Sequence, residues 1–215
     1  MSQGRLRAWV AFCADAVAAL PRNLRHPLVR DRFSDAAVSR LLQFWTERET
    51  FLDALDRLPR VFGHLDAFPR NLVVRHSGSG DQLVAIDWAS VGFGAVGEEL
   101  APLVASSLIF FEVDASIAHE LDTVAFMGYI EGLRDAGAHV DEAAVRFGYT
   151  AVAGLRYGLG IALDVGIAGD EQHHAWVEQV LGRSVEEMVT RDAAVADLLG
   201  EQIDEAHDLL VRRLH

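Results

Sequence analysis

Lysine is absent from the chain: every one of its 19 basic residues other than histidine is arginine. This excludes a Schiff-base lysine and a lysine-bearing phosphate loop of the Walker type. Cysteine occurs once, as Cys13, so no disulfide can close within the 215 residues. That suits a reducing compartment. Cys13 lies in an apolar helical pattern, where a thiol is ordinarily buried and inert. Positive charge is also scarce: 19 basic against 32 acidic side chains give a net charge of −13. The balance argues against nucleic acid or an anionic membrane as partner and is compatible with a cationic substrate. The longest apolar runs, such as LAPLVASSLIFF, are too short to cross a bilayer. Asp15 interrupts the one stretch, after Arg5 and Arg7, that superficially resembles a leader. The expectation is a soluble, cytoplasmic protein.

What is present is a hydrophobic fraction of 51%, enough for a substantial core. Residues 5–20 carry a helical pattern that Pro21 should end. Ser34 or Asp35 caps a long amphipathic pattern that Pro59 stops. Glu98 opens a third helix, with Pro102 tolerated in its first turns. Asp114 caps a fourth, closed by Gly137, and Asp141 caps a fifth through residue 165. A helix surrounds HHAWVEQVLG. Ser184 and Glu187 form a capping-box pair opening the last helix. Only LVVRH and QLVAI, separated by SGSGD, read as strands, and together they make a hairpin. VFGHLDAFPRN before them and WASVGFGAVG after them read as loops. The expected fold is α+β, mostly α-helical, one domain over 1–215 with a small β-hairpin. Strands do not alternate with helices, so a parallel α/β sheet is not expected.

The hairpin concentrates the chemistry. Paired about Ser79, Leu72 faces Ile86, Val73 faces Ala85 and Val74 faces Val84. Asn71 then sits opposite Asp87 at the open end, where facing Cα atoms lie roughly 4.5–5.5 Å apart. An amide oxygen and a carboxylate are hard ligands suited to Mg²⁺. Asp66, on the incoming loop, lies close enough to act on a substrate beside that metal. One residue of slip would remove the juxtaposition. A base beside two metal ligands fits phosphoryl transfer to a hydroxyl.

His64-Leu65-Asp66-Ala67-Phe68-Pro69-Arg70-Asn71 has the H-x-D-x-x-x-x-N spacing of the kinase catalytic loop. It most resembles the aminoglycoside phosphotransferase family, whose loop reads HGDxHPxN. The later IDWASVGFGAVGEELA resembles that family's second motif, with Gly92 and Gly94 matching its glycines. The chain departs from the pattern at Leu65 (usually Gly), Phe68 (often His), Val96 (usually Pro) and Glu99 (usually Asp). The resemblance implies Asp66 as catalytic base, His64 as support for the loop backbone, and Asn71 and Asp87 as Mg²⁺ ligands. It implies ATP or GTP as donor and a small hydroxyl-bearing acceptor. It also implies the C-terminal lobe of a protein-kinase-like fold. The β-rich nucleotide-binding lobe, with its lysine, is expected to be missing, so that no nucleotide-binding residue is assigned. On that expectation the chain alone has little kinase activity and exposes an apolar surface for a missing-lobe partner or a second copy. The alternative is a non-catalytic remnant that binds a ligand or partner.

Other features read more plainly. Gly92-Phe93-Gly94-Ala95-Val96-Gly97 matches a dinucleotide fingerprint, but residues 88–91 separate it from its strand and no further strands follow. His173 and His174 are adjacent, poor spacing for one metal on a helix, and read as a solvated helix end. His119 and His207 read as surface residues, and Trp45, Trp176, Tyr129 and Tyr157 as core. Glu98, Glu99, Glu112 and Asp114 read as helix-start charges and caps or as a face for a cationic substrate.

Overall fold

The computed structural model describes residues 2–78 and 80–214. The helices are α1 (Ser2–Phe12), α2 (Ala14–Asn23), α3 (Asp35–Asp56), α4 (Leu100–Ile109), α5 (Ala118–Asp135), α6 (Glu142–Ala153), α7 (Leu159–Ala168), α8 (His174–Leu181) and α9 (Val185–Leu214). Between α3 and α4 lie four short strands: β1 (Arg60–Gly63), β2 (Leu72–Ser77), β3 (Gly80–Ala85) and β4 (Gly92–Ala95). The mostly helical α+β reading therefore holds.

The caps behave as their chemistry requires. Ser34 Oγ accepts from the Ala37 amide at 3.1 Å, satisfying one orphan donor at the start of α3. Ser184 and Glu187 exchange both bonds of a capping box, at 2.8 and 3.2 Å. Helix α3 then buries Leu41, Phe44, Phe51, Leu52 and Leu55, a stripe at helical spacing. That stripe meets α6 and α9, which also pack along each other, with Val195, Leu199, Ile203 and Ala206 of α9 buried. Where α5, α6 and α9 meet, Asp122 is buried but fully partnered. Tyr149 Oη and Gln202 Nε2 donate to its Oδ1 at 2.7 Å, and Arg146 donates to its Oδ2 at 2.9 Å.

Several expectations need correction. Pro21 does not end the first helical region: the break falls at Cys13, and Pro21 sits in the last turn of α2. Residues 60–63 and 92–95, read as loops, are strands that pair antiparallel, Phe62 with Phe93 and Gly63 with Gly92. Four residues each, and rich in glycine, they lack the alternating run that marks a strand in sequence. The glycine fingerprint is thereby accounted for: Gly92 and Gly94 are strand residues, and Gly97 is a turn. Trp176 is exposed. His207 is half-buried and edge-on to Phe51, ring centroids 4.8 Å apart. Helices α6 and α7 run on as one 27-residue span, Glu142–Ala168. It is long and apolar enough to cross a membrane, but most of it is buried in the core.

Candidate active site

Two glycines seat the strand region on the helical body. Gly97 has φ +87°, and a Cβ there would lie 2.1 Å from the Val145 carbonyl oxygen. A Cβ on Gly148 of α6 would lie 2.0 Å from the Val96 carbonyl oxygen. The turn after β4 and the backbone of α6 thus touch directly, which no side chain would permit. This fixes Glu98 and Glu99, and through them the loop that follows β1.

That loop is pinned at successive residues. His64 is buried, and its Nε2 bonds the Ile86 carbonyl at 2.7 Å. A carbonyl only accepts, so Nε2 carries a proton, while buried Nδ1 has no hydrogen-bond partner among the described residues. The Leu65 amide donates to Glu99 Oε2 at 2.8 Å. Leu65 has φ +60°, the left-handed region that favours glycine. Glu99 therefore anchors the loop although it replaces the shorter aspartate of the resembled motif. The backbone carbonyl of Asp66 accepts from the Phe68 amide at 2.7 Å and from Asn71 Nδ2 at 2.9 Å. A single 3-10 turn, Pro69–Asn71, leads into β2.

The hairpin register is offset by one residue from expectation. Leu72 faces Ala85, Val73 faces Val84 and Val74 faces Leu83, with Ser77 opposite Gly80. Asn71 consequently meets Ile86, whose amide donates to its carbonyl at 2.9 Å, and not Asp87. The expected pivot, Ser79, lies outside the described residues. A two-residue connection between Ser77 and Gly80 suits tight hairpins. The apolar pattern could not fix the register, because Val73, Val74 and Leu83 are all exposed. Neither face of the ribbon is buried, and burial of one face is what specifies register.

Asp87 still borders the loop, one residue beyond Ile86, with φ +57° and ψ +63°. It is exposed, and its carboxylate makes no hydrogen bond or ion pair among the described residues. Asn71 uses its amide nitrogen internally, which leaves its oxygen without a protein donor there. The expected His64, Asp66 and Asn71 are joined by hydrogen bonds through one loop and its neighbouring strand. Asp87 is brought alongside through Ile86. No group of three or more His, Cys, Asp or Glu suited to a metal occurs among the described residues.

Sequence reasoning missed Arg156. A single π-helical segment, Gly154–Gly158, interrupts the span between α6 and α7. From it the Arg156 guanidinium donates to Asp66 Oδ1 at 3.1 Å and to the Leu65 carbonyl at 3.2 Å. Trp9 of α1 donates its indole N–H to the Arg156 backbone carbonyl at 2.8 Å. The next residue, Tyr157, has a buried hydroxyl with no hydrogen-bond partner among the described residues. Burial pushes its phenol well up; Arg156 opposes this, while the charges of Asp66 and Glu99 add to it. Beside this group lies a cavity of about 210 Å³ lined by Arg5, Trp9, Leu65, Ser90, Glu98 and Arg156, among others. Ninety residues separate Asp66 from Arg156, so no local spacing could have revealed the pair.

The remaining acidic candidates are occupied. Glu98 accepts from the Ala95 amide at 2.9 Å, Glu112 pairs with Arg70 at 2.7 Å, and Asp114 accepts from the Ser116 amide. His173 pairs with Asp170 at an exposed helix start. Cys13 is fully buried, and burial together with the Asp164 charge pushes its thiol up to about 11.

Residues 2–139 match the family model described as the phosphotransferase enzyme family. No curated protein and no solved structure matches the chain.

Proposed function

Because the chain belongs to the phosphotransferase enzyme family, we propose that this loop transfers a phosphoryl group from ATP or GTP to the hydroxyl of a small molecule. Asp66 is the base and His64 holds the loop to the end of β3. The acceptor oxygen forms a bond to the γ-phosphorus, the bond from that phosphorus to the leaving nucleoside diphosphate oxygen breaks, and the acceptor proton passes to the Asp66 carboxylate. The observation that carries this reading is the arrangement about Asp66. Its backbone is fixed by Phe68 and Asn71, one carboxylate oxygen is held by Arg156, and Oδ2 makes no hydrogen bond among the described residues.

The oxygens of Asn71 and Asp87 suit a Mg²⁺ ion: both are hard donors, both lack a protein partner among the described residues, and Asp87 follows Ile86, whose amide bonds the Asn71 carbonyl. Two protein ligands suit a metal that keeps waters and binds substrate phosphates. When bound, Mg²⁺ supplies neutralisation of the phosphate charge. The net charge of −13 favours a cationic acceptor by long-range attraction.

Mg²⁺- and ATP-dependent phosphorylation by the purified chain, abolished in Asp66→Ala, is the result this reading requires, and it would overturn the expectation that the chain alone has little kinase activity. Nucleotide-dependent Mg²⁺ binding that persists in an Asn71→Ala/Asp87→Ala double variant would refute the metal assignment. A second reading, a partner-binding module, is favoured by the exposed Phe62, Phe93, Leu83 and Trp88. Turnover that depends on Asp66 separates the two.

A further inference from the structure

The π segment lies beyond the matched residues 2–139, and π turns inside helices frequently mark functional sites. Here the segment sends Arg156 to the loop, with the buried Tyr157 ring beside its guanidinium. Arg156 meets Asp66 Oδ1 and the Leu65 carbonyl. Tyr157 lies near enough to feel the charges of Asp66 and Glu99. Arg156 is itself held: its guanidinium carbon lies 5.8 Å from the Phe68 ring centroid and 5.4 Å from that of Tyr157. Trp9 fixes its backbone carbonyl. The Arg156 and Asp66 side chains are only 32% and 23% exposed, so their contact is sheltered from much of the solvent screening that weakens surface pairs.

We propose that Arg156 is the positioning residue of this site, holding Asp66 Oδ1 and the Leu65 carbonyl together so that Asp66 Oδ2 is turned toward the acceptor hydroxyl. The proposal rests on the reading of Asp66 as base. A planar guanidinium can grip a carboxylate oxygen and a carbonyl at once from one fixed plane, whereas an ammonium is a point charge without that fork. The left-handed Leu65 makes this grip consequential. Its carbonyl direction is set by an uncommon backbone conformation, and Arg156 and Glu99 hold the two sides of that residue.

The test compares wild type, Asp66→Ala, Arg156→Gln and Arg156→Lys, each confirmed folded by thermal denaturation. Turnover of Mg-ATP is measured with water as acceptor, and crystal structures of both Arg156 variants are determined. Misplacing a catalytic group by about 1 Å costs on the order of 100-fold in rate. The expected result for Arg156→Gln is a loss of about that size in kcat with KM for Mg-ATP unchanged, and a displaced Asp66 carboxylate. Arg156→Lys should recover part of kcat and keep only one of the two contacts. Wild-type kcat in Arg156→Gln, or an unmoved Asp66 carboxylate in its structure, overturns the proposal. If Arg156→Gln does not fold, wild-type kcat or both contacts retained in Arg156→Lys overturns it. If Asp66→Ala turns over like wild type, the base assignment fails; in that case, or if wild type does not turn over, the crystal structures alone decide whether Arg156 positions Asp66.

Discussion

Two carboxyl groups outside the candidate loop, the buried Asp192 and the half-buried Asp164, should set how the fold responds to pH. Asp192 of α9 is 1% exposed, and neither of its oxygens has a hydrogen-bond partner among the described residues. Asp164 of α7 lies close enough to raise it further by charge. Burial pushes Asp164 up from 3.8 to about 7 and pushes Asp192 well above its ordinary value. An acid raised on folding stabilises the fold fully only below its unfolded pKa. The contribution is lost as pH climbs from 3.8 toward about 7 for Asp164, because the unfolded chain releases a proton that the folded chain must keep. Each pH unit in that window costs about 1.4 kcal/mol per group. For Asp164 the span of 7 − 3.8, or about 3 units, gives about 4 kcal/mol, a large share of a typical stability of about 5–15 kcal/mol. The perturbation is Asp192→Asn, which keeps shape and removes the charge. Urea unfolding from pH 4 to pH 8 measures it, and taking the difference from wild type cancels the other titrating groups. Near pH 4 the two proteins should differ by less than about 1 kcal/mol, since a protonated carboxyl and an amide are near-isosteric. By pH 7 the variant should be the more stable of the two, with a slope shallower by up to one proton. Parallel curves across the range would refute the argument.

Glu99→Ala leaves the Leu65 amide without its 2.8 Å acceptor and should cost on the order of 1–3 kcal/mol. Hydrogen exchange at Leu65 should quicken in that variant, and unchanged protection counts against the anchor. Gly148→Ala drives a Cβ to 2.0 Å from the Val96 oxygen and should cost about 1–3 kcal/mol or more, read as a lower Tm. Gly128→Ala, at an exposed position of α5 with open space around it, should instead gain about 0.5–1 kcal/mol, so that equal shifts in both variants would undo the close-approach argument. Leu65→Gly relieves about 1–2 kcal/mol of left-handed strain but removes a side chain that is 5% accessible, whose burial is worth about 1.5–3 kcal/mol. Adding the entropy cost of glycine, about 0.5–1 kcal/mol, the variant should be less stable by about 1.5 kcal/mol in urea unfolding, and a gain would show that strain outweighs packing.

How far the site could be read in advance depends on how local its determinants are. Ser34, Asp141 and the Ser184–Glu187 pair cap helices through neighbours two or three residues away, so the sequence alone locates them. The His64-to-Asn71 spacing was legible for the same reason, since one loop carries it. The β2–β3 register was not, because an alternating pattern specifies register only when one face is buried, and here Val73 and Val74 are both exposed. Strands β1 and β4 were invisible because two adjacent four-residue segments, not internal pattern, stabilise each other. Arg156 belongs to the least legible class, joining Asp66 across 90 residues through a helical irregularity that no propensity encodes. The substitution of Glu for Asp at position 99 and of Leu for Gly at position 65 show the same limit from the other side. Taken singly, each departs from the resembled motif. Taken together, Glu99 Oε2 reaches the Leu65 amide, while the Leu65 side chain is buried against β4 at Gly92 and Gly94. The left-handed backbone that glycine would adopt freely is thus held by two hydrogen bonds, to Glu99 and from Arg156, and by one buried side chain, and the candidate loop keeps its path without the residue that ordinarily allows it.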